Sequence, residues 1–404
     1  MRQVATTDSA PPIRGGLDGV VVADTQMSRV DGENGQLIIG GHEVGDLAGQ
    51  HSFEAVCGLL WTGRMPTEQQ RADIARSMAA GRITAYERLP ALGDALDNRD
   101  SMAALRAAVA HWKPADAGAA DGEPAANTDI ASSVALNAEL IGAVAVFAAA
   151  WWRQTTGQKP LTPDSQLGLA GDYLRMLRGQ TPDPADARAL DSYLVTVCDH
   201  GMNASTFAAR VVTSTGSDVV SAVVAAIAAL KGPLHGGAPG PVLDMLDAIG
   251  HADAAESWLD RELAAGRRIM GMGHRVYRVR DPRAAVLERA AETLIDERAH
   301  SAHDCHLDLA RAVERIAQQR LQARHPERSL RANVEFYTAV LLDALGVDRR
   351  MFSPTFAVAR TAGWCGHIAE QRQYGRLIRP KARYVGPLPA AAARGGTNDG
   401  IAYE

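Results

Sequence analysis

The first apolar pattern along the chain is that of a β-hairpin. Residues Gly19–Thr25 (GVVVADT) and Gln36–Ile39 (QLII) are rich in β-branched side chains, and the segment between them contains the turn-forming run Asp31–Gly35. From Phe53 onward the spacing of apolar residues is helical almost without interruption. The pattern therefore predicts a mainly α fold with a short N-terminal β-hairpin.

Two long apolar runs predict buried helices. Leu140–Trp152 contains thirteen consecutive apolar residues, and Val219–Leu230 is nearly as apolar. Because a membrane-spanning helix needs about 20 such residues, both runs are interpreted as core helices and no membrane partner is expected.

Capping signals and one loop divide the helical part of the chain. Helices are predicted to begin after Asp218, Asp281, Asn333 and Ser353. The segment Lys113–Asn127 (KPADAGAADGEPAAN) contains mainly Ala, Gly, Pro and Asp and is predicted to be an exposed loop.

Composition and charge exclude several classes of protein. The 404 residues are 46% hydrophobic and 22% charged, which argues against a disordered chain. Four cysteines far apart in sequence do not predict a disulfide scaffold. The net charge of −5 argues against a nucleic-acid partner, and Met1–Gly19 lacks the apolar core of a signal peptide, so a cytoplasmic protein is expected.

Two histidines lie in segments that interrupt the apolar helices. His200 belongs to DHGMNAS, for which a helix N-cap with a satisfied histidine is one interpretation. His235 belongs to GPLHGGAPG, where backbone can approach a ligand closely, and an ordinary turn is the alternative.

The segment Gly271–Arg283 (GMGHRVYRVRDPR) combines a flexible backbone with His274 and four arginines. It lacks the third glycine and the preceding strand of a dinucleotide-binding motif. Arginine suits carboxylate and phosphate groups, and neighbouring cations should lower the pKa of His274. A solvated basic turn is the alternative.

Glu335 falls in the first turn of an otherwise apolar helix. It is interpreted either as an ordinary partner of the helix dipole or as a carboxylate base in an apolar cleft. The segment from His300 to His306 has metal-ligand residue types but matches no zinc spacing, so no metal site is predicted.

Taken in order, several segments resemble the citrate synthase family over nearly the whole chain. They are the hairpin, the predicted helix Phe53–Thr67, DHGMNAS, GPLHGGA, GMGHRVYRVRDPR, NVEFYTAVLLDALG, SPTFAVARTAGWCGHIAEQ and the final Arg379–Lys381. The resemblance implies a two-domain helical fold. Residues 1–225 and 340–404 would form the large domain, and residues 226–339 a small domain that closes over the active site.

The resemblance also implies roles for individual residues. His235 resembles the histidine that hydrogen-bonds the thioester oxygen of acyl-CoA, Glu335 the base, and His274 the histidine that polarises the ketone of oxaloacetate. The residues that resemble oxaloacetate ligands are His200, Arg283, Arg360 and Arg379, the last contributed by the partner subunit. Those that resemble the CoA site are Arg268, Met270, Gly271, Gly273 and Arg278.

The function implied by the resemblance is condensation of acetyl-CoA with oxaloacetate to citrate and CoA, an acyltransferase reaction of the tricarboxylic acid cycle. It implies a homodimer with shared active sites and no cofactor, since acyl-CoA is a substrate. Formation of 2-methylcitrate from propionyl-CoA is the alternative, and a catalytically weak binding protein of the same family is another.

Three departures from the family pattern affect these expectations. Glu335 stands where many relatives have Asp, Pro239 stands where Asn is common, and Lys113–Asn127 is an atypical insertion. The extra methylene of Glu335 leaves base chemistry available but leaves the acyl preference open.

Overall fold

The computed structural model describes residues 16–17, 19–113, 130–236, 239–298 and 305–384. A three-stranded antiparallel sheet lies near the N-terminal end of these residues. Its strands are β1 (Ser28–Asp31), β2 (Gln36–Ile39) and β3 (His42–Glu43), with Asp31 opposite Gln36. The hairpin is confirmed, but its first strand is not the predicted Gly19–Thr25. The four-residue turn fixes the register, so residues 28–31 face β2.

The other regular elements of the described residues are helices, which confirms the mainly α fold. Between the sheet and residue 178 they are α1 (Val44–Leu47), α2 (Phe53–Thr62), α3 (Glu68–Arg88), α4 (Ser101–Ala110), α5 (Ile130–Thr155) and α6 (Leu169–Arg178). Up to residue 264 they are α7 (Pro184–Val197), α8 (Ala204–Ser214), α9 (Val219–Leu230), α10 (Pro239–Ile249) and α11 (Ala255–Ala264). The remaining helices are α12 (Pro282–Glu297), α13 (Cys305–Arg324), α14 (Val334–Ala344) and α15 (Phe352–Tyr374).

The predicted capping residues set several of these helix boundaries. The side chain of Asp218 accepts a hydrogen bond from Ser221 N, and Asp281 accepts one from Arg283 N. Helix α2 ends at Thr62, five residues before the predicted end at Thr67. Gly63 follows it with φ +73°, a left-handed conformation that stops a helix at low cost.

The apolar run of α5 lies in the protein core. Of the described helices α5 alone is long and apolar enough to cross a membrane, and nearly all its residues from Asn137 to Trp151 are buried inside the protein. It crosses α3 so closely that the two backbones are in contact. A Cβ at Gly142 would overlap the carbonyl oxygen of Met78, so a glycine is needed at this crossing. The interpretation as a core helix fits this burial.

Residues 25–377 form one compact unit, and residues 1–24 with 378–404 are assigned to a second. In the described part of the second unit Val20 and Val21 are exposed, and residues 19–24 form no strand. Residues 114–127 of the predicted loop lie outside the described residues. The division into domains at 226 and 339 stays a prediction.

Candidate active site

Backbone hydrogen bonds join the segment that carries His274 to the segment that carries Glu335. Gly273 N donates to Arg331 O at 2.7 Å, and Asn333 N donates to Gly271 O at 2.9 Å. The side-chain amide of Asn333 also donates to Gly273 O at 2.9 Å. The two segments therefore keep a fixed spacing, although they lie about 60 residues apart in the chain.

The orientation of His274 is set by the loop that follows it. Its Nδ1 accepts hydrogen bonds from the amides of Val276 (3.0 Å) and Tyr277 (3.1 Å). Backbone amides only donate, so the proton of the neutral ring lies on Nε2. Burial, helped by the charge of Arg283, lowers the pKa of His274 to about 4. At neutral pH this histidine is an uncharged donor through Nε2.

Glu335 is held at the N-terminus of α14. Asn333 caps this helix and accepts a hydrogen bond from Glu335 N at 3.0 Å. Burial raises the pKa of Glu335 to about 7, and the positive charge of Arg283 limits the rise. A carboxylate with this pKa can accept a proton and release it again near neutral pH.

Asp281 aligns Arg283 through a bidentate ion pair. Arg283 Nε and Nη2 donate to the two carboxylate oxygens of Asp281 at 3.0 and 2.7 Å, and both side chains are buried. Burial alone would lower the pKa of Arg283, but the charge of Asp281 and its hydrogen bonds have the larger combined effect, so the pKa is raised. Arg283 therefore stays charged beside His274, whose Nε2 lies 3.5 Å from Nη2.

Arg360 is a buried cation whose charge no carboxylate neutralises by direct contact within the described residues. Its Nε donates to Val197 O at 2.7 Å, and its Nη2 has no hydrogen-bond partner there. Burial lowers its pKa to about 10, and Arg283 contributes to this shift. A buried donor without a partner is costly, so this site favours an anionic ligand.

His200 lies close to His274 and to both of these cations. Its ring centroid is 5.6 Å from that of His274, and its Nε2 lies 3.2 Å from the hydroxyl of Tyr277. Burial lowers the pKa of His200 well below its usual value, with further contributions from Arg283 and Arg360. His200, His274, Arg283 and Arg360 thus form one cluster with two cations and two neutral imidazoles.

His235 is placed by the first turn of α8. Its Nε2 accepts a hydrogen bond from Ser205 N at 3.3 Å and lies 2.9 Å from Ser205 Oγ. The backbone amide can only donate, which favours a ring that carries its proton on Nδ1. Burial, with a contribution from Arg360, lowers the pKa of His235 to about 4. Like His274, His235 is a neutral hydrogen-bond donor at neutral pH.

A chain of polar side-chain contacts begins at Asp199, the residue before His200. Asp199 accepts hydrogen bonds from Ser28 Oγ and Gly201 N, and lies 3.2 Å from His367 Nε2. Burial opposes its ionisation, yet His367 and the neighbouring donors hold the pKa of Asp199 at about 2.

The chain continues from His367 to the beginning of β1. Arg210 donates to His367 Nδ1 at 2.9 Å and pairs with Glu370. Glu370 in turn accepts hydrogen bonds from Thr25 Oγ1 at 2.8 Å and Gln26 N at 2.7 Å. These residues were not predicted from sequence, although the spacing His367–Glu370 on one helix face was a possible signal.

The residues predicted to bind CoA lie on and beside the His274 segment. Arg268 and Arg278 are exposed, Met270 is half-buried, and Gly271 and Gly273 have φ +71° and +91°. Arg379 is exposed and belongs to the second unit, so it stays a prediction. Tyr277, Ser205 and Asp199 contribute to the site but were not predicted to be functional.

Sequence comparison identifies one family over most of the chain. The family model described as citrate synthase, C-terminal domain, matches residues 16–381. Citrate synthase 2 of Bacillus subtilis is 36% identical over 92% of this chain and 95% of its own length. A 2-methylcitrate synthase of Mycobacterium tuberculosis is 37% identical over 94% of this chain and 92% of its own length.

Solved structures agree with the sequence matches. Citrate synthase from Pyrobaculum aerophilum has a TM-score of 0.80, 30% identity, and coverage of 97% of this chain and 100% of that one. Citrate synthase from Thermoplasma acidophilum, solved in a ternary complex with carboxymethyl coenzyme A and oxaloacetate, has a TM-score of 0.77, 28% identity, and coverage of 93% and 97%. The sequence matches and the fold together establish that this chain belongs to the citrate synthase family.

Proposed function

We propose that the protein condenses acetyl-CoA with oxaloacetate and releases citrate and CoA. The observation that carries this proposal is the combination of Glu335, whose pKa is about 7, with two imidazoles that stay neutral and two buried arginines. A carbon acid next to a thioester needs a base on one side and a hydrogen-bond donor at the developing enolate oxygen on the other.

The first step is removal of a proton from the methyl group of acetyl-CoA. Glu335 accepts this proton, while His235 donates a hydrogen bond to the thioester oxygen on which negative charge develops. A donor placed at such an oxygen contributes on the order of 10²–10³ in rate. His235 is neutral near pH 7 and makes this hydrogen bond with the proton on its Nδ1, so it acts as a donor and not as a general acid.

The second step forms the carbon–carbon bond. The enolate carbon attacks the ketone carbon of oxaloacetate, and His274 Nε2 donates to the oxygen that becomes the alkoxide. Arg283 and Arg360 bind the carboxylates of oxaloacetate, with His200 as a further ligand. Water then hydrolyses the citryl thioester, which yields citrate and the free thiol of CoA. Closure of residues 226–339 over the site would exclude water until the new bond has formed.

CoA would bind along the segment that precedes and includes His274. The backbone at Met270, Gly271 and Gly273 approaches the adenine, and Arg268 and Arg278 are the cations available for phosphate groups. Both arginines are exposed, as contacts to a polyanionic ligand in solution require. The expectations of a cytoplasmic location and of a part in the tricarboxylic acid cycle stay predictions.

Release of the CoA thiol tests the reaction and distinguishes the acyl groups. Purified protein is mixed with oxaloacetate and acetyl-, propionyl- or butyryl-CoA, and thiol is measured with and without oxaloacetate. We expect the highest kcat/KM with acetyl-CoA. A higher value with propionyl-CoA would favour 2-methylcitrate formation, which the relative of that name supports. No oxaloacetate-dependent release with any substrate would favour the binding-protein alternative.

The pH dependence of kcat/KM for acyl-CoA should have an acid limb near pH 7. Glu335 must be ionised to accept a proton, so activity should rise with pH through its pKa of about 7. His235 and His274 have pKa values of about 4 and should add no limb between pH 5 and 9. Initial rates measured over that range at constant ionic strength test this, and a limb that falls as pH rises through 7 would contradict it.

We also propose a homodimer in which the partner subunit's Arg379 completes each oxaloacetate site. Arg379→Ala and His274→Ala homodimers should both be inactive. In a mixed dimer one of the two sites keeps both residues, so activity should return to about half of the wild-type value per mixed dimer. Two affinity tags allow the mixed dimer to be purified before assay. An inactive mixed dimer of confirmed composition would exclude a shared site.

A further inference from the structure

The turn of the N-terminal hairpin lies against the loop that carries His274. We call residues 32–35 the hairpin turn and residues 274–280 the His274 loop. The amide of Arg278 donates to Gly32 O at 2.9 Å. This bond joins β1 and β2 to a segment about 245 residues later in the chain.

Two glycines allow this close approach. A Cβ at Gly32 would overlap the carbonyl oxygen of Val276. A Cβ at Gly35, where φ is +65°, would lie 2.5 Å from Val279 Cγ2. Any larger residue at either position must therefore move the His274 loop or the hairpin turn.

The part of the loop under the hairpin turn is the part that orients His274. The amides of Val276 and Tyr277 donate to His274 Nδ1 and so fix both the ring and its proton. The carbonyl of Val276 and the amide of Arg278, the groups that meet Gly32, lie on either side of Tyr277 in the same short backbone segment. A displacement of this segment would move the donors that hold the imidazole.

We propose that Gly32 and Gly35 are positioning residues, through which the hairpin turn holds the His274 loop in the geometry that substrate binding requires. The proposal rests on the proposed function, since His274 and Arg278 are assigned to substrates there. Neither glycine is among the residues assigned to a substrate. The contact also crosses the proposed domain boundary, because residues 32–35 belong to the large domain and residues 274–280 to the small one.

A pair of substitutions at Gly35 and Val279 separates this role from general stability. Gly35→Ala should lower kcat/KM for oxaloacetate by about tenfold to hundredfold, because small displacements of a substrate-binding group are costly. Val279 is 41% exposed, and Val279→Ala alone should change activity little. In the double variant Cγ2 is gone and the nearest atoms to the new Cβ are Arg280 O at 3.5 Å and Val279 Cβ at 3.9 Å. We therefore expect Val279→Ala to restore most of the activity of Gly35→Ala.

Gly63→Ala is the matched control for backbone strain. Gly63 has φ +73° and no neighbouring atom within 4 Å of a Cβ at that position. It should lower the thermal midpoint as Gly35→Ala does, but leave kcat/KM unchanged. Failure of Val279→Ala to rescue Gly35→Ala, or an equal activity loss in Gly63→Ala, would overturn the proposal.

Hydrogen exchange at the Arg278 amide tests the contact without any substrate. Exchange should be slow in the wild type, faster in Gly35→Ala, and slow again in the double variant. If the wild type released no CoA with any acyl-CoA, the proposed function would fail while these exchange rates still reported on the contact. Rapid exchange of the Arg278 amide in the wild type would overturn the proposal even if Gly35→Ala did not fold. Gly32→Ala gives an independent variant that should accelerate the same exchange.

Discussion

Replacement of Glu335 by Gln should abolish turnover and leave oxaloacetate binding nearly intact. The amide cannot accept a proton from the acyl-CoA, whereas Arg283, Arg360, His274 and His200 all remain. Loss of a well-placed base costs about 10²–10⁴ in rate. Thiol release measures the first effect, and calorimetric titration with oxaloacetate measures the second.

Glu54→Gln is a suitable control for this substitution. Glu54 is also buried, and its Oε1 accepts a hydrogen bond from Leu169 N at 3.1 Å, which a glutamine oxygen can replace. The Glu54→Gln variant should keep wild-type turnover. A Glu335→Gln variant that lost its affinity for oxaloacetate would show that Glu335 belongs to the oxaloacetate site and is not the base.

Glu335→Gln should also stabilise the protein at alkaline pH. The pKa of Glu335 is about 7 in the folded state and ordinarily 4.5, so the folded state binds this proton more tightly than the unfolded state. Its contribution to the free energy of unfolding is therefore largest below pH 4.5 and is lost as pH rises to about 7. By pH 8 the Glu335→Gln variant should be more stable by on the order of 3 kcal/mol. Denaturant unfolding at pH 5 and pH 8, at equal protein concentration, measures this difference.

Replacement of Arg360 by Met should lower kcat/KM for oxaloacetate by about 10²–10³ through loss of a buried charge-assisted contact. Burial already disfavours this cation and lowers its pKa to about 10. Met removes the cost of burying this charge, and that gain should offset the loss of the hydrogen bond to Val197 O. The free energy of unfolding should therefore not fall.

Arg82→Met provides the opposite case in an equally buried position. Arg82 is 1% exposed, and its Nε lies 2.8 Å from Oδ2 of the buried Asp172. Arg175 pairs with the other carboxylate oxygen of Asp172 at 2.9 Å, so removal of Arg82 leaves this carboxylate with one of its two cations. Loss of a partner from a buried ion pair costs up to about 3–5 kcal/mol. We expect Arg82→Met to unfold more easily and to bind oxaloacetate normally. Equal loss of stability in Arg360→Met and Arg82→Met would contradict a ligand-binding role for Arg360.

The chemical groups of the site were predictable where they lie in continuous segments. The segment from Gly271 to Arg283 contains one histidine, four arginines and the capping residue Asp281. Asn333 marks the start of the helix that presents Glu335. Local rules of capping and glycine geometry are sufficient to predict these helix starts and candidate segments, whereas the roles of the residues were inferred from the resemblance to the family.

The supporting groups were not predictable because their contacts are long-range. Asp199 meets His367 only after α8 and α15 have packed together, and no local pattern encodes that pairing. The strand at Ser28 was missed for a related reason. Gly19–Thr25 has the stronger β propensity, but the turn length selects the segment that pairs with β2.

The chain of polar contacts from Asp199 to Glu370 has a consequence for the order in which the protein folds. Thr25 and Glu370 are hydrogen-bonded to each other although they are 345 residues apart, near the first and last residues of the compact unit in sequence. During synthesis, Asp199 and His200 leave the ribosome long before His367 and Glu370 exist to support them. Contacts of such high sequence separation form slowly. The oxaloacetate-binding cluster should consequently be among the last regions to become native, and a nascent chain that ends before α15 should have no competent site.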